Sequence, residues 1–288
     1  MIPELKYIRP ATVEEALNLL ESANGEARLI AGGTDIIPGF QQESKRFAGI
    51  KTLIDTKSIT ALSRIESEKE FVKIGAACTF SEIQNNQQVS EFFPLLKKAA
   101  STVGSLQIRN LATITGNFVN NAPCADGVAP LLVYNAKIEI QSKKETKEIA
   151  LEDFLIAPYK NQLHSGEIVT KIIISKPSPN SKGDFYKLGR RRGVAISRIS
   201  LAVLAEIENS VIKDMRIASG AVTPIGKRFH ALENVVKMKT VSDELLKEMA
   251  IEMGKQILND TGLRWSSAYK LPVVQQKLYH LLSELCEE

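Results

Sequence analysis

Cysteine, histidine and tryptophan are all scarce in this chain of 288 residues, which holds 3 cysteines, 3 histidines and 1 tryptophan. Cys78, Cys124 and Cys286 are an odd number, widely spaced and without a Cys-x-x-Cys pair. Neither a disulfide framework nor an iron–sulfur cluster can be built from them in this chain. His164, His230 and His280 are isolated from one another, so surface or structural roles are expected for them, and no resident metal. Apolar runs of the ~18–20 residues that a membrane helix needs are missing. The start, MIPELKYIRP, has no apolar signal core, so the expected compartment is the cytoplasm. A formal net charge of +4 is too small to imply a nucleic-acid partner. Gly-x-Gly-x-x-Gly and the P-loop are both absent, which excludes a Rossmann unit. No serine–histidine pair, metal cluster or paired carboxylate offers a substrate-activating site.

What is present is an ordinary globular composition, 44% hydrophobic and 24% charged, in a chain long enough for a sizeable core and two domains. Thr12 and Glu15 form a capping box ahead of a helix through Ala16, Leu19 and Leu20, which should stop near Asn24 and Gly25. Short apolar strands are expected over 28–31, 51–55 and 71–75, and a helix over 92–103 with Leu95, Leu96, Ala99 and Ala100 on one side. Residues 104–125 read as one long loop, after which Asp126 would cap a short helix carrying Leu131 and Leu132. A strand at 137–141 ends in a charged hairpin tip at Ser142–Glu145. Residues 175–183, SKPSPNSKG, have the composition of a linker. Beyond it, 184–188, 199–208 and 211–219 read as antiparallel strands, and 241–259 and the segment through Val274, Leu278, Leu281 and Leu285 as helices. Strands followed by helices indicate a small α+β unit at the C-terminus.

Two stretches carry chemistry. Ala31–Asp35 reads AGGTD, where two glycines permit positive φ and let successive amides point into one concavity that holds an anion. The alternative is a plain tight turn. Gln107–Asp126 reads QIRNLATITGNFVNNAPCAD, rich in hydroxyl and amide groups around Gly116. A polar loop of that length inside a domain is uncommon unless functional, the alternative being a structural Ω-loop. Arg190, Arg191 and Arg192, with no aromatic residues interleaved, read as a solvated face or a subunit contact rather than a nucleic-acid patch. Trp265 is expected in a core or an interface.

Together and in this order, the two loops resemble the FAD-binding subunits of the molybdenum hydroxylase (xanthine dehydrogenase) family. That pattern is an AGGTD-like turn, then QIRN-x-A-T-x-G-G-N and a downstream Asp. This chain has Gln107, Ile108, Arg109, Asn110, Ala112, Thr113, Gly116, Asn117 and Asp126 at matching positions, and FYKLGRR at 185–191 is similar to the family's aromatic-x-Lys stretch. The implied fold is α+β: a two-subdomain FAD-binding unit of the vanillyl-alcohol-oxidase type over 1–175, divided roughly into 1–56 and 57–175, and a small C-terminal flavoprotein domain over 184–288. The amides of Gly32, Gly33, Thr34 and Asp35 would hold the pyrophosphate, with Leu29, Ile30, Ala31 and Ile36 flanking. Thr113, Gly116, Asn117 and Asn120 would contact phosphates and ribityl chain, and Asp126 a hydroxyl nearby. Val169 would pack near the rings, Val103 is a further expected cofactor contact, and Lys187 would place a cation by the flavin.

The implied activity is that of an oxidoreductase subunit with non-covalent FAD and no acid or base of its own. A small [2Fe–2S] subunit and a large molybdopterin subunit would be its partners in a dimer of heterotrimers, with NAD or another acceptor taking the electrons. Two departures stand out: Thr115 occupies the place of the usual first glycine of Gly-Gly-Asn, and Gly193, Val194 and Ala195 follow the basic run where some relatives are acidic. The competing readings are a stand-alone FAD-dependent reductase of the same fold and a non-catalytic interaction subunit.

Overall fold

Three sheets in chain order organise the molecule, and a computed structural model describes residues 2–286. The first sheet is parallel and three-stranded, with Thr52–Asp55 between Lys6–Ile8 and Ala27–Ile30. Its connecting helix, Val13–Ser22, starts where the Thr12 hydroxyl accepts the Glu15 amide at 3.1 Å. The Glu15 carboxylate reaches back to the amide of Ala11, one residue before the expected partner, at 2.7 Å. Asn24 and Gly25 both take positive φ, which ends the helix as their residue types allow.

The second sheet is antiparallel and five-stranded, in the order Ile65–Ser67, Phe71–Gly75, Ile168–Ser175, Lys137–Gln141, Thr146–Ala150. The helix expected over 92–103 is shorter, Pro94–Thr102, because Pro94 takes the first helical position and holds Phe93 at φ −134°. The expectation of one long loop over 104–125 is corrected. Two short helices occupy it, Leu106–Leu111 and Ile114–Asn120, capped by the hydroxyls of Ser105 and Thr113. The first of them buries none of its residues, so it leaves no helical period to read. Asp126 does not cap the next helix, Val128–Val133, whose N-cap is Gly127 without a side-chain bond.

The third sheet pairs Ser181–Gly189, Ser197–Glu208, Val211–Gly220 and Lys227–Arg228 in that order, all antiparallel. Only residues 176–180 separate it from the second sheet, a narrower connection than the linker expected over 175–183. The strand Ser197–Glu208 is buried on both faces. Ala202 and Leu204 join the core of the second unit, while Ile199, Leu201, Val203 and Ala205 pack with the helices Asp243–Thr261 and Ser267–Cys286. Its near-continuous apolar run follows from that double burial. Trp265 lies in the turn between those two helices and is 88% exposed, so the expectation of a core position is corrected.

Candidate cofactor cleft

The glycine turn and the second loop touch. A Cβ on Gly32 would stand 2.1 Å from the Leu111 carbonyl oxygen and 2.7 Å from Ala112 Cα, so no other residue permits this approach. Gly33 follows at φ +69°. Its carbonyl accepts the Ile37 amide at 3.0 Å, turning the chain into the helix Ile36–Gln41. Among the described residues, no group of the chain accepts the amide hydrogens of Gly32, Gly33, Thr34 or Asp35. Such open, successive amides around a positive φ form a concave donor set for an anion.

The second loop is pinned to the middle unit. The Phe80 amide donates to the Ala112 carbonyl at 3.0 Å, and the Ile114 amide to the Cys78 carbonyl at 3.2 Å. Within the loop, Thr113 Oγ1 accepts from the Gly116 amide at 3.0 Å and Asn117 Oδ1 from the Gly127 amide at 3.0 Å. Asn120 is engaged at both ends: its Nδ2 donates to Asp35 Oδ1 at 2.9 Å, and its Oδ1 accepts from Arg46. The Asp35–Asn120 bond thus joins the first unit to the second directly beside the turn.

Between the loops lies a cleft of about 400 Å³. It adjoins a second hollow of about 780 Å³, and the two share Gly104, Lys187, Val194 and Ala195 as walls. At the junction Lys187 Nζ meets Asp126 Oδ2 at 2.5 Å, with both side chains less than a tenth exposed. Lys187 also donates to the Thr102 carbonyl at 2.9 Å, and the Ser197 hydroxyl donates to the other Asp126 oxygen. Burial pushes the Asp126 carboxyl above the ordinary carboxylate value, while Lys187 and Ser197 pull against it.

Every residue assigned to the cofactor from the sequence lines this cleft except Val169. Val169 is buried in the strand Ile168–Ser175 and packs in the middle core. Thr115 is likewise absent from the cleft wall; it is buried in the helix Ile114–Asn120, with its hydroxyl lacking a hydrogen-bond partner. Asp126 already binds Lys187 and Ser197, so any ligand hydroxyl shares its oxygens with them. Sequence reasoning missed Arg28, Arg46, Cys124 and the 194–196 segment as cleft walls, and Ser197 as the partner of Asp126. Cys124 lay within the stretch already singled out, and Arg28 three residues before the turn. Nothing in the local spacing points to Arg46 or Ser197.

Residues 3–177 match the family described as the FAD binding domain in molybdopterin dehydrogenase, and residues 184–285 match the CO dehydrogenase flavoprotein C-terminal domain. The glyceraldehyde dehydrogenase medium chain of Sulfolobus acidocaldarius is 30% identical over 273 residues, 95% of each chain. The nicotinate dehydrogenase FAD-subunit of Eubacterium barkeri is 34% identical over 211 residues, 72% of this chain and 70% of its own. Among solved structures, a carbon monoxide dehydrogenase from Hydrogenophaga pseudoflava superposes with a TM-score of 0.91 at 24% identity, over 98% of this chain and 97% of the other.

Proposed function

Because the chain belongs to the family of FAD-binding subunits of molybdopterin dehydrogenases, we propose that it holds FAD across this cleft as the electron-transfer subunit of a molybdenum hydroxylase complex. Bound there, FAD supplies the redox chemistry that accepts electrons from a [2Fe–2S] partner subunit and releases them to NAD or another acceptor. Substrate oxidation then belongs to a molybdopterin subunit, in a cytoplasmic dimer of heterotrimers. The observation that carries this reading is the contact of the two glycine loops, which presents four open amides to a cleft running on to Lys187.

The chain's residues divide the work. The amides of Gly32, Gly33, Thr34 and Asp35 hold the pyrophosphate. Thr113 and Gly116, joined to each other, and Asn117, whose Oδ1 is held by the Gly127 amide, present polar groups to the phosphates and ribityl chain. Lys187 and Asp126 fix the junction with the second hollow, where they would stand beside the flavin ring. Val103 and Ala195 give that junction apolar walls.

Heat release and absorbance of the purified chain measure its flavin content. Gly33→Asp puts a negative charge within the turn that carries the four open amides, opposing a bound phosphate by charge. Aspartate tolerates positive φ better than most residues, and the nearest obstacles are the ends of Ile30 and Ile37 at 3.3 Å. The variant is expected to fold and to lose FAD. A colourless wild-type chain that takes up no FAD refutes the proposal, as does full flavin content in Gly33→Asp. Co-purification of iron–sulfur and molybdopterin subunits from the native source separates this role from that of a stand-alone reductase.

A further inference from the structure

Lys187 at one end of the cleft is neutralised by Asp126, but the cations at the other end are not. Arg28 and Arg46 both line the cleft, and among the described residues neither has a carboxylate within ion-pair distance. Arg28 lies in the strand Ala27–Ile30, which leads into the glycine turn. Arg46 lies in the short helical turn Lys45–Phe47, which Phe47 anchors in the apolar cluster of Ile30, Ile36 and Phe40. The loops crowding Arg28 and the nearby charge of Arg46 both depress its pKa, although much of its side chain reaches solvent. Two like charges brought together, one of them coupled to the Asp35 carboxylate but neither closed into an ion pair, are an arrangement that a further anion relieves.

Arg46 is held for such a task. Its guanidinium lies 4.1 Å over the Tyr159 ring and 5.2 Å from the Phe47 centroid, and one amino group donates to Asn120. Tyr159 sits at the tip between the paired strands Leu155–Ala157 and Lys160–Asn161, in a left-handed conformation at φ +61° that a bulky residue adopts only when held there. What holds it is Asn121, fully buried. Its carbonyl accepts the Tyr159 amide at 2.9 Å, and its Nδ2 donates to the carbonyls of Ala157 and Lys160. A strained tip from the second unit thus fixes an arginine of the first unit at the cleft wall. Stacking orients the planar fork while leaving its remaining N–H groups for a phosphate.

Cys124 feels Asp35 as well as Asp126 and Lys187, so the charged groups of the cleft lie along one wall. Arg46 acts on Asp35 and Arg28, and Lys187 acts on Asp126. We propose that Arg46, braced by Tyr159 and Asn120 and backed by Arg28, clamps the adenylate phosphate of the dinucleotide and makes the cleft select FAD over FMN. The inference rests on the flavin reading above, and it assigns residues that the sequence resemblance did not. FMN has no adenylate phosphate, so it gains nothing from the clamp, whereas FAD gains charge-assisted bonds from two arginines.

The test is a titration of flavin-stripped full-length chain with FAD and with FMN, read by flavin fluorescence, for wild type, Arg46→Ala, Arg46→Lys and Arg28→Gln. Each of the alanine and glutamine variants is expected to lose about tenfold or more in FAD affinity with FMN affinity nearly unchanged. Arg46→Lys keeps the charge without the stacked fork and should fall between. Raising the salt concentration should shrink the difference. Parallel loss of FAD and FMN would show a structural role and overturn the clamp, as would unchanged FAD affinity. Arg28→Gln keeps the test open if Arg46→Ala folds poorly, since among the described residues no hydrogen bond or ion pair uses that side chain. A wild-type chain that binds neither flavin overturns the flavin reading itself; wild-type FAD binding with unaltered preference in the variants overturns only the clamp.

Discussion

Replacing Gly32 by alanine adds one methyl group where the structure has no room for it. The new Cβ would stand 2.1 Å from the Leu111 carbonyl oxygen, 2.5 Å from its carbon and 2.7 Å from Ala112 Cα. All three are backbone atoms, so no side chain can swing aside. Either the turn or the Leu111–Ala112 segment must retreat by about an ångström, and overpacking of that kind costs roughly 1–3 kcal/mol. For a chain of this size the melting temperature should fall by roughly 2–12 °C, taking ~2–4 °C per kcal/mol. The same retreat separates the open amides from Thr113 and Gly116, so FAD affinity should fall by about tenfold or more, equivalent to 1.4 kcal/mol. Gly25→Ala is the control: its φ is +90°, but a Cβ there meets nothing within 4 Å. It should carry the backbone strain alone, about 1 kcal/mol, and leave flavin binding intact. Differential scanning fluorimetry and an FAD titration measure both effects. If Gly32→Ala melts and binds FAD as the wild type does, the two loops do not touch as described.

Two further outcomes follow from the same cleft. Cys124 lines it and is half-buried, Cys286 is half-buried elsewhere, and Cys78 is fully buried with its thiol pushed up to about 12, chiefly by burial. A disulfide reagent should therefore modify Cys124 and Cys286 in the native apo-chain and Cys78 only after unfolding. FAD should slow Cys124 alone; peptide mapping that finds its rate unchanged by FAD would place the ligand elsewhere. Asp126→Asn leaves the Lys187 ammonium nine-tenths buried without its counter-charge, so apo-chain stability should fall by ~3–5 kcal/mol in urea unfolding. Combining Asp126→Leu with Lys187→Met should recover most of that loss, and single variants as stable as the wild type would contradict a buried pair.

The sequence was legible where one element explains itself. Thr12 and Glu15 announce a helix start, and the strand Phe71–Gly75 and the parallel strand Thr52–Asp55 carry their own apolar pattern. The glycine turn and the second loop were legible as a pair through family resemblance, and all their assigned residues reach one cleft. The helix Leu106–Leu111 was not legible, because it exposes Leu106 and Leu111 and so shows no apolar face. Nor could spacing reveal that Ser197 meets Asp126 across 71 residues, or that Arg46 meets Asn120 across 74. Those contacts exist only once three sheets have packed, and they decide what the polar groups of the cleft are free to do. Val169 shows the converse: the resemblance placed it by the cofactor, but it lies in the strand Ile168–Ser175 of the second sheet, which contributes no wall to the cleft.

The pairing of Lys187 with Asp126 changes what the lysine can contribute. An isolated ammonium would favour negative charge throughout the cleft. At 2.5 Å from a carboxylate it forms a short dipole, whose field falls off far faster with distance than that of a single charge. A ligand atom therefore experiences Lys187 as a cation only where it approaches the ammonium more closely than it approaches Asp126. Ser197 and the Thr102 carbonyl hold the pair in one orientation, so that contact is defined by geometry rather than by net charge. Long-range attraction for an anionic ligand is then expected from Arg28 and Arg46, which form no ion pair among the described residues, with the Asp35 carboxylate near Arg46 offsetting part of it. On the proposed reading, the arginines would contribute binding energy and Lys187 a local electrostatic effect.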